Sequence, residues 1–222
     1  MNFIPALLLL AASPAGAEGD EVISLREHFP LGDGLVWRYA SNLGEVNSRV
    51  IVEGDRVTVD TRSPRLDIIQ NYRLAPEGIL LASVESETFL YSSRRTYHPF
   101  LLRFPAEVEV GRTWEWEGKE VVDRKSIVTS RVEGTIEGRE TVRVPAGQFD
   151  CLKVRVTTAS DDGTFSSSIQ WLASGVGIVR AEIGIEAGGL SGLIISLLGF
   201  DTYSLELLEM TVPEGSKSET VP

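Results

Sequence analysis

Apolar and polar residues alternate along most of the chain, in short segments separated by Gly, Pro, Asp and Asn. In residues 35–39, Leu35, Trp37 and Tyr39 fall on one face and Arg38 on the other. A period of two is typical of β-strands with one buried face, and helical periodicity is nearly absent. The pattern predicts an all-β, mainly antiparallel protein, folded as one large curved meander whose sheet is wet on one side.

Further segments indicate which face of each predicted strand is polar and which is apolar. The polar faces carry most of the acidic residues, including Glu120, so these carboxylates are expected at solvent. In the segment 164–171 the polar face is formed by Ser166, Ser168, Gln170 and a threonine. The apolar faces carry Trp114 and Trp116 in one segment, Val128, Val132 and Ile136 in the next, and Phe165, Ile169 and Trp171 in the third.

Four short polar or glycine-containing stretches have the composition of hairpin turns. They are Gly54-Asp55, Gly118-Lys119, Gly138-Arg139 and residues 161–163. Glycine supplies the positive φ angles that tight hairpins need, and aspartate tolerates them. Each stretch is therefore predicted to join two antiparallel strands.

The chain is predicted to consist of a leader, one folded domain and a polar tail. Residues 1–17 have a short apolar run and end in a small-x-small site, which is typical of a secretory signal peptide. Residues 18–211 form the single β-rich domain, and residues 212–222 are expected to be a disordered tail. The protein is therefore expected to be exported, to a periplasm or to the extracellular space.

The domain shows signs of an internal duplication. The pattern G-x-x-W-x-(Y/W) occurs around Trp37 and again around Trp114. The two halves would be residues 29–105 and residues 106–211, joined in one continuous sheet without a linker. Chance recurrence of similar strand edges is the alternative explanation.

Composition excludes several classes of protein. The net charge of −11 argues against nucleic acid as a partner, because phosphate binding requires a basic surface. A single cysteine excludes an intramolecular disulfide framework and a zinc site built from thiolates. The apolar fraction of 42% excludes a disordered chain.

The sequence contains few candidates for chemistry. His28 and His98 each lie close before a proline and have no metal-ligating companion at H-x-H or H-E-x-x-H spacing. Cys151, in a segment of odd register that a β-bulge would explain, is expected to be buried and structural. No catalytic residue, no metal site and no cofactor are predicted. A hydrolase with a site assembled around either histidine is the least favoured hypothesis.

Residues 187–200 form an uncharged stretch in an otherwise charged sequence. It is too short for a transmembrane helix, but its leucines have helical spacing, so a short helix is predicted. Such a helix could plug the concave face of the sheet, cover a ligand cavity as a mobile lid, or contact a membrane or partner. The residues proposed to bind a ligand or partner are Leu190, Leu193, Ile194, Leu197, Leu198 and Phe200.

Three motifs together resemble a known bacterial family. They are F-P-L-x-x-G-x-x-W-x-Y from Phe29, V-P-A-G-x-F-x-C-x-K-V from Val144, and W-L-A-x-G-V-G-I-V from Trp171. Their order and spacing are similar to those of exported proteins of unknown function called TapB-like. The resemblance implies a β half-barrel, similar in outline to periplasmic lipoprotein carriers of the LolA/LolB type, and no catalytic residues.

Two functional hypotheses follow from these observations. The first is a non-enzymatic exported protein that binds a lipid-like or other hydrophobic small molecule on a concave β face. The second is an interaction or scaffold protein of the cell envelope, which would bind an envelope protein through its sheet edges or its apolar segment.

Overall fold

The structure is a computed structural model that describes residues 22–186 and 201–213. Almost all of the described chain is β-strand, with one helix of a single turn. The elements are β1 (Val22–Ser24), α1 (Leu25–His28), β2 (Val36–Ser41), β3 (Gly44–Glu53), β4 (Arg56–Arg62), β5 (Asp67–Ala75), β6 (Gly78–Glu87), β7 (Ser92–Pro105), β8 (Glu107–Glu109), β9 (Thr113–Val122), β10 (Ser126–Val144), β11 (Gly147–Ser160), β12 (Phe165–Ala173), β13 (Gly177–Glu186) and β14 (Thr202–Thr211).

Twelve of the described strands form a closed antiparallel barrel. From β2 to β7 and from β9 to β14, each strand pairs with the one that follows it, and β7 pairs with β9. The barrel is closed by the pairing of β14 with β2, in which Leu205 lies opposite Ser41. Strands β1 and β8 form a separate two-stranded sheet. The predicted all-β curved meander is confirmed, and its curvature continues beyond the implied half-barrel until the sheet closes on itself.

In β2 and β10, alternation of apolar and polar residues places the predicted core face inside the barrel. In β2, Trp37 and Tyr39 are buried while Arg38 is exposed. In β10, Val132 and Ile136 are buried between exposed polar residues. These strands form because each buries one apolar face against the others across the barrel.

Two of the four predicted turns are confirmed and two are wrong. Gly54-Asp55 joins β3 to β4, and residues 161–163 lie between β11 and β12. Gly118-Lys119 instead lies inside β9, and Gly138-Arg139 lies inside β10.

The two misread glycines have other roles within their strands. A Cβ atom at Gly118 would lie 2.4 Å from Cζ2 of Trp116, so this glycine makes room for the indole. Gly138 has a φ angle of 153° and follows a register shift between Ile136 and Gly138. There the glycine accommodates a β-bulge. The bulge expected in the strand of Cys151 is wrong, because β11 pairs with β10 and β12 without an extra residue; the extra residue is Glu137 of β10.

One end of the barrel, here called the capped end, is covered by α1. The amide of Leu25 donates to the carbonyl of Ala106 (3.2 Å), and the amide of Gly175 donates to the carbonyl of Glu27 (2.8 Å). Leu25 is completely buried. The opposite end, here called the mouth, is formed by the turns after β2, β4, β6, β9 and β11.

The predicted leader, the polar tail from residue 214 and the apolar stretch 187–200 lie outside the described residues. The predicted helix at 187–200 is therefore untested, and so are its proposed binding residues: Leu190, Leu193, Ile194, Leu197, Leu198 and Phe200. Within the described ranges, no helix is long and apolar enough to cross a membrane.

Candidate functional site

The barrel interior contains a partly open cavity of about 170 Å³. A barrel with more than eight strands encloses more space than its own side chains fill, so an internal cavity is an expected consequence of the strand number. Its walls come from β2–β5 and β12–β14, and β7, which is separated from β5 by β6, contributes one residue. The cavity reaches from Phe29 and Leu31 at the capped end to Thr61, Ile68 and Ile183 near the mouth.

The wall of the cavity is mainly apolar and aromatic. Trp37 is fixed by a hydrogen bond from its Nε1 to the carbonyl of Val176 (2.7 Å). The ring of Phe29 packs against Tyr72 and Phe104, at centroid distances of 5.9 and 5.1 Å. Aromatic contacts of this kind hold the lining in place, so the cavity has a preformed shape.

Polar side chains interrupt the apolar wall at a few positions. The hydroxyl groups of Ser48 and Thr61 are hydrogen-bonded to each other (2.9 Å), which leaves them little demand for a further partner. The amide of Gln170 donates from Nε2 to Oγ of Ser168 (3.1 Å). Gln170 is only 2% exposed, and its Oε1 has no hydrogen-bond partner.

The inward position of Gln170 corrects the expected orientation of β12. Sequence alternation suggested that the face with Ser168 and Gln170 is the wet one, but that face lines the barrel interior. On the opposite, outer face, Trp171 lies between Lys153 and Arg180, whose charged groups are 5.7 and 5.0 Å from its ring. Long charged side chains can cover an aromatic ring, so an outward tryptophan can still be buried.

Three tyrosines, Tyr39, Tyr72 and Tyr203, line the cavity. Burial raises the pKa of Tyr39 and Tyr203, the latter against a smaller lowering by a hydrogen bond with Ser41. Burial also raises the pKa of Tyr72, and Arg103 partly offsets this through its charge and a hydrogen bond. All three hydroxyls are therefore neutral at physiological pH.

A second group of interior charges lies on the β7–β9–β10 side of the barrel. Glu120 is 3% exposed, and Arg95 donates to it over 2.9 Å. The expectation that Glu120 faces solvent is wrong, because it shares the inward face of β9 with Trp114 and Trp116. Burial of Tyr97 beside this pair raises the pKa of its hydroxyl.

The residues considered for catalysis do not form an assembled site. His28 lies in α1, where its Nδ1 donates to the carbonyl of Ser24 (2.9 Å), and His98 is exposed on β7. In the described part of the chain, neither histidine is hydrogen-bonded to a carboxylate or a thiol. Burial, assisted by nearby Asp150, raises the pKa of Cys151 to about 11. Because the thiolate is the nucleophilic form, Cys151 is chemically inert at neutral pH.

Sequence reasoning missed the cavity-lining residues Gln170 and Arg103. Gln170 lies on the polar face of its strand, and a polar face is expected to contact solvent. Arg103 follows two leucines and precedes a phenylalanine, so simple alternation does not assign it a face. In the described ranges, no group of three or more metal-ligating residues is present.

Comparison with known proteins gives one family match. Residues 117–192 match a family model described as DUF3108-like. This range runs from within β9 through β13 and covers less than half of the chain, including the V-P-A-G turn and the strand with Gln170. The resemblance to the TapB-like family remains a prediction. No curated protein matches the sequence significantly.

Solved structures resemble the chain only loosely. One is the hypothetical lipoprotein YmcC from Escherichia coli, with 11% identity, a TM-score of 0.44, and coverage of 85% of this chain and 88% of that one. Another is a candidate exported protein with a YmcC-like fold from Bacteroides fragilis, with 15% identity, a TM-score of 0.33, and coverage of 83% and 98%. We draw no conclusion about function from likenesses at this level.

Proposed function

We propose that this chain is an exported, non-enzymatic binding protein that holds a small lipid-like or other hydrophobic ligand inside its barrel. The observation that supports the proposal is the cavity of about 170 Å³ with a largely apolar, aromatic wall. An apolar cavity of about 150 Å³ in another protein stays dry and binds benzene, so a space of this size suits a slender or small apolar group. Export is supported by the signal-peptide pattern of residues 1–17.

A cavity-filling variant tests the proposal. Ala181 lies on β13 with its side chain in the cavity wall, and it is 1% exposed. A phenyl ring at this position would occupy most of the available space, so Ala181→Phe is expected to lower the affinity for 1-octanol at least tenfold. Isothermal titration calorimetry measures this affinity, and native mass spectrometry of the protein purified from cells is expected to show a co-purified hydrophobic molecule.

The matched control is Glu182→Phe on the next residue of the same strand, which is exposed. It adds the same ring outside the barrel and is expected to bind 1-octanol as the unmodified protein does. Urea unfolding of each variant checks that the fold is retained, because overpacking a core costs about 1–3 kcal/mol. Equal affinity of the folded Ala181→Phe variant and the unmodified protein would rule out binding in this cavity.

A second candidate function, contact with an envelope surface, is favoured by the tip of the β6–β7 hairpin. Phe89, Leu90 and Tyr91 are 83%, 69% and 55% exposed at the mouth of the barrel. Large apolar side chains on consecutive exposed positions are unusual on a soluble surface and often mark contact sites. We propose that the contacted surface is a lipid bilayer. The three side chains can insert into the membrane interface, which requires no partner protein of complementary shape.

Vesicle binding tests this second function. Burial of one phenylalanine and one leucine contributes about 1.5–3 kcal/mol each, so the double variant Phe89→Ser and Leu90→Ser is expected to reduce co-sedimentation with phosphatidylcholine vesicles more than tenfold. The matched control is Val22→Ser at the capped end, where Val22 is 56% exposed. Equal co-sedimentation of the double variant and the control would show that the hairpin tip does not mediate membrane contact.

A further inference from the structure

Arg103 faces the cavity at a β-bulge of β7. Phe104 pairs with Ile79 of β6 and Leu102 pairs with Leu80, so Arg103 is an extra residue without a partner in the ladder. Bulges change the direction in which a side chain points and are enriched near functional sites. The result is a cationic side chain in the wall of an otherwise apolar and neutral cavity.

The charge of Arg103 is not balanced by the protein around it. Among the described residues that line the cavity, Arg103 is the one charged side chain. Its guanidinium lies over the ring of Phe104 at 4.9 Å, and its Nε is buried without a hydrogen-bond acceptor. The chain has a net charge of −11, and arginines such as Arg38 and Arg62 pair with carboxylates. An arginine that lines a cavity without a carboxylate partner differs from these. A cation in a low-dielectric site is stabilised when an anion reaches it.

The guanidinium of Arg103 indicates the kind of anion that would fit this cavity. A guanidinium binds a carboxylate bidentately through two parallel N–H groups, and the described residues that line the cavity include no carboxylate that could pair with Arg103. Gln170 of β12 lines the same cavity, has an unpartnered Oε1, and is a second polar residue of the lining. It accepts a hydrogen bond from a hydroxyl or N–H group. The wall between these polar groups is apolar.

We propose that the ligand of the cavity is an anionic amphiphile, such as a medium-chain carboxylic acid, whose carboxylate pairs with Arg103 and whose hydrocarbon part lies against the aromatic wall. This inference rests on the proposed function, since it names the chemical class of the ligand that the cavity holds. The tyrosines of the lining are neutral, so they do not repel the carboxylate. Arg103 acts as the residue that selects an acid over a neutral lipid of the same length.

Calorimetric titration with octanoate, 1-octanol and acetate at neutral pH tests the inference. A hydrogen bond to a charged group contributes enough to change affinity by about tenfold or more. The unmodified protein is therefore expected to bind octanoate at least tenfold more tightly than 1-octanol, and acetate weakly. Arg103→Gln is expected to lose this preference while its affinity for 1-octanol stays within about twofold. Arg103→Lys, which keeps the charge but not the planar fork, is expected to give an intermediate preference.

The matched control is Arg73→Gln on the outer face of β5, where Arg73 pairs with Asp55 in an exposed ion pair (3.3 Å). It removes the same charge from the molecule without touching the cavity and is expected to retain the preference for octanoate. Far-ultraviolet circular dichroism and urea unfolding confirm that each variant folds.

Three results would overturn the inference, and they can be told apart. If Arg103→Gln binds octanoate as tightly as the unmodified protein, and both bind 1-octanol, the carboxylate is not held by Arg103 although the cavity still binds hydrophobic ligands. If acetate binds as tightly as octanoate, the site recognises a bare anion and not an amphiphile. If the unmodified protein binds neither octanoate nor 1-octanol, the proposed function itself fails.

Discussion

Replacing Gly134 by alanine is expected to lower the free energy of unfolding by about 2–3 kcal/mol. Gly134 lies in β10 opposite Trp114 of β9, and the indole lies flat over its backbone. A Cβ atom at position 134 would be 2.2 Å from both Cε2 and Cζ2 of Trp114. The ring cannot move away freely, because Trp114 is buried beside Phe104 in the core. Urea unfolding followed by circular dichroism measures the change.

The control for this variant is the same substitution at Gly184 in β13. A Cβ atom there would meet nothing closer than the carbonyl oxygen of Ser167 at 4.0 Å. Because alanine restricts the unfolded chain more than glycine does, Gly184→Ala is expected to stabilise the protein by about 0.4–1 kcal/mol. Opposite signs for the two variants are therefore expected. An unchanged free energy of unfolding for Gly134→Ala would mean that the indole does not pack on this glycine.

Replacing Arg95 by methionine is expected to destabilise the barrel by about 2–3 kcal/mol. The substitution keeps the apolar stem of the side chain but leaves the Glu120 carboxylate, which is 3% exposed, without its cationic partner. The expected loss is smaller than for a fully enclosed pair, because the Arg95 side chain is 39% exposed and the interaction is partly screened. Urea unfolding at neutral pH provides the measurement.

The adjacent residue supplies a matched control. Arg94 pairs with Glu85 over 3.4 Å on the outer face, with both side chains exposed. Arg94→Met removes the same charge and is expected to change stability by no more than about 0.5 kcal/mol. The double variant Arg95→Met with Glu120→Gln also removes the unpaired carboxylate charge of Glu120, so it is expected to recover part of the lost stability. Equal stability of the two single variants would contradict a structural role for the interior pair.

The fold could be predicted from sequence because most strands carry a one-sided apolar pattern. Trp37 and Tyr39 alternate with polar residues, and the structure places both inside the barrel. Closure of the sheet was not predictable in this way, because it depends on a pairing between β14 and β2 that no local pattern encodes. The prediction of turns at two glycines is wrong for a related reason. Gly118 and Gly138 have the composition of turns, but contacts from other strands decide that they accommodate a ring and a bulge.

The candidate site was much less predictable than the fold. Gln170 was assigned to a wet face because period-two alternation identifies two faces without saying which one points inward. The outward face of β12 is apolar at Trp171, and it is tolerated there because charged side chains of neighbouring strands cover the ring. Arg103 lies at a bulge, and a bulge depends on the register of the partner strand. The direction of both side chains therefore depends on how the strands pair, and the pattern within a single strand does not contain this information.

Joining β14 to β2 also has a consequence for the order of folding. Every other pairing in the barrel except that of β7 with β9 links strands that are neighbours in sequence, whereas this one links nearly the two ends of the described chain. The entropy of closing so long a loop rises only slowly with its length, so the equilibrium cost is modest. The kinetic consequence is larger, since a partly folded sheet keeps two unpaired edges, on β2 and β13, until the final strand arrives. Refolding yield is therefore expected to fall as protein concentration rises, because those edges can pair with another molecule before the ring closes.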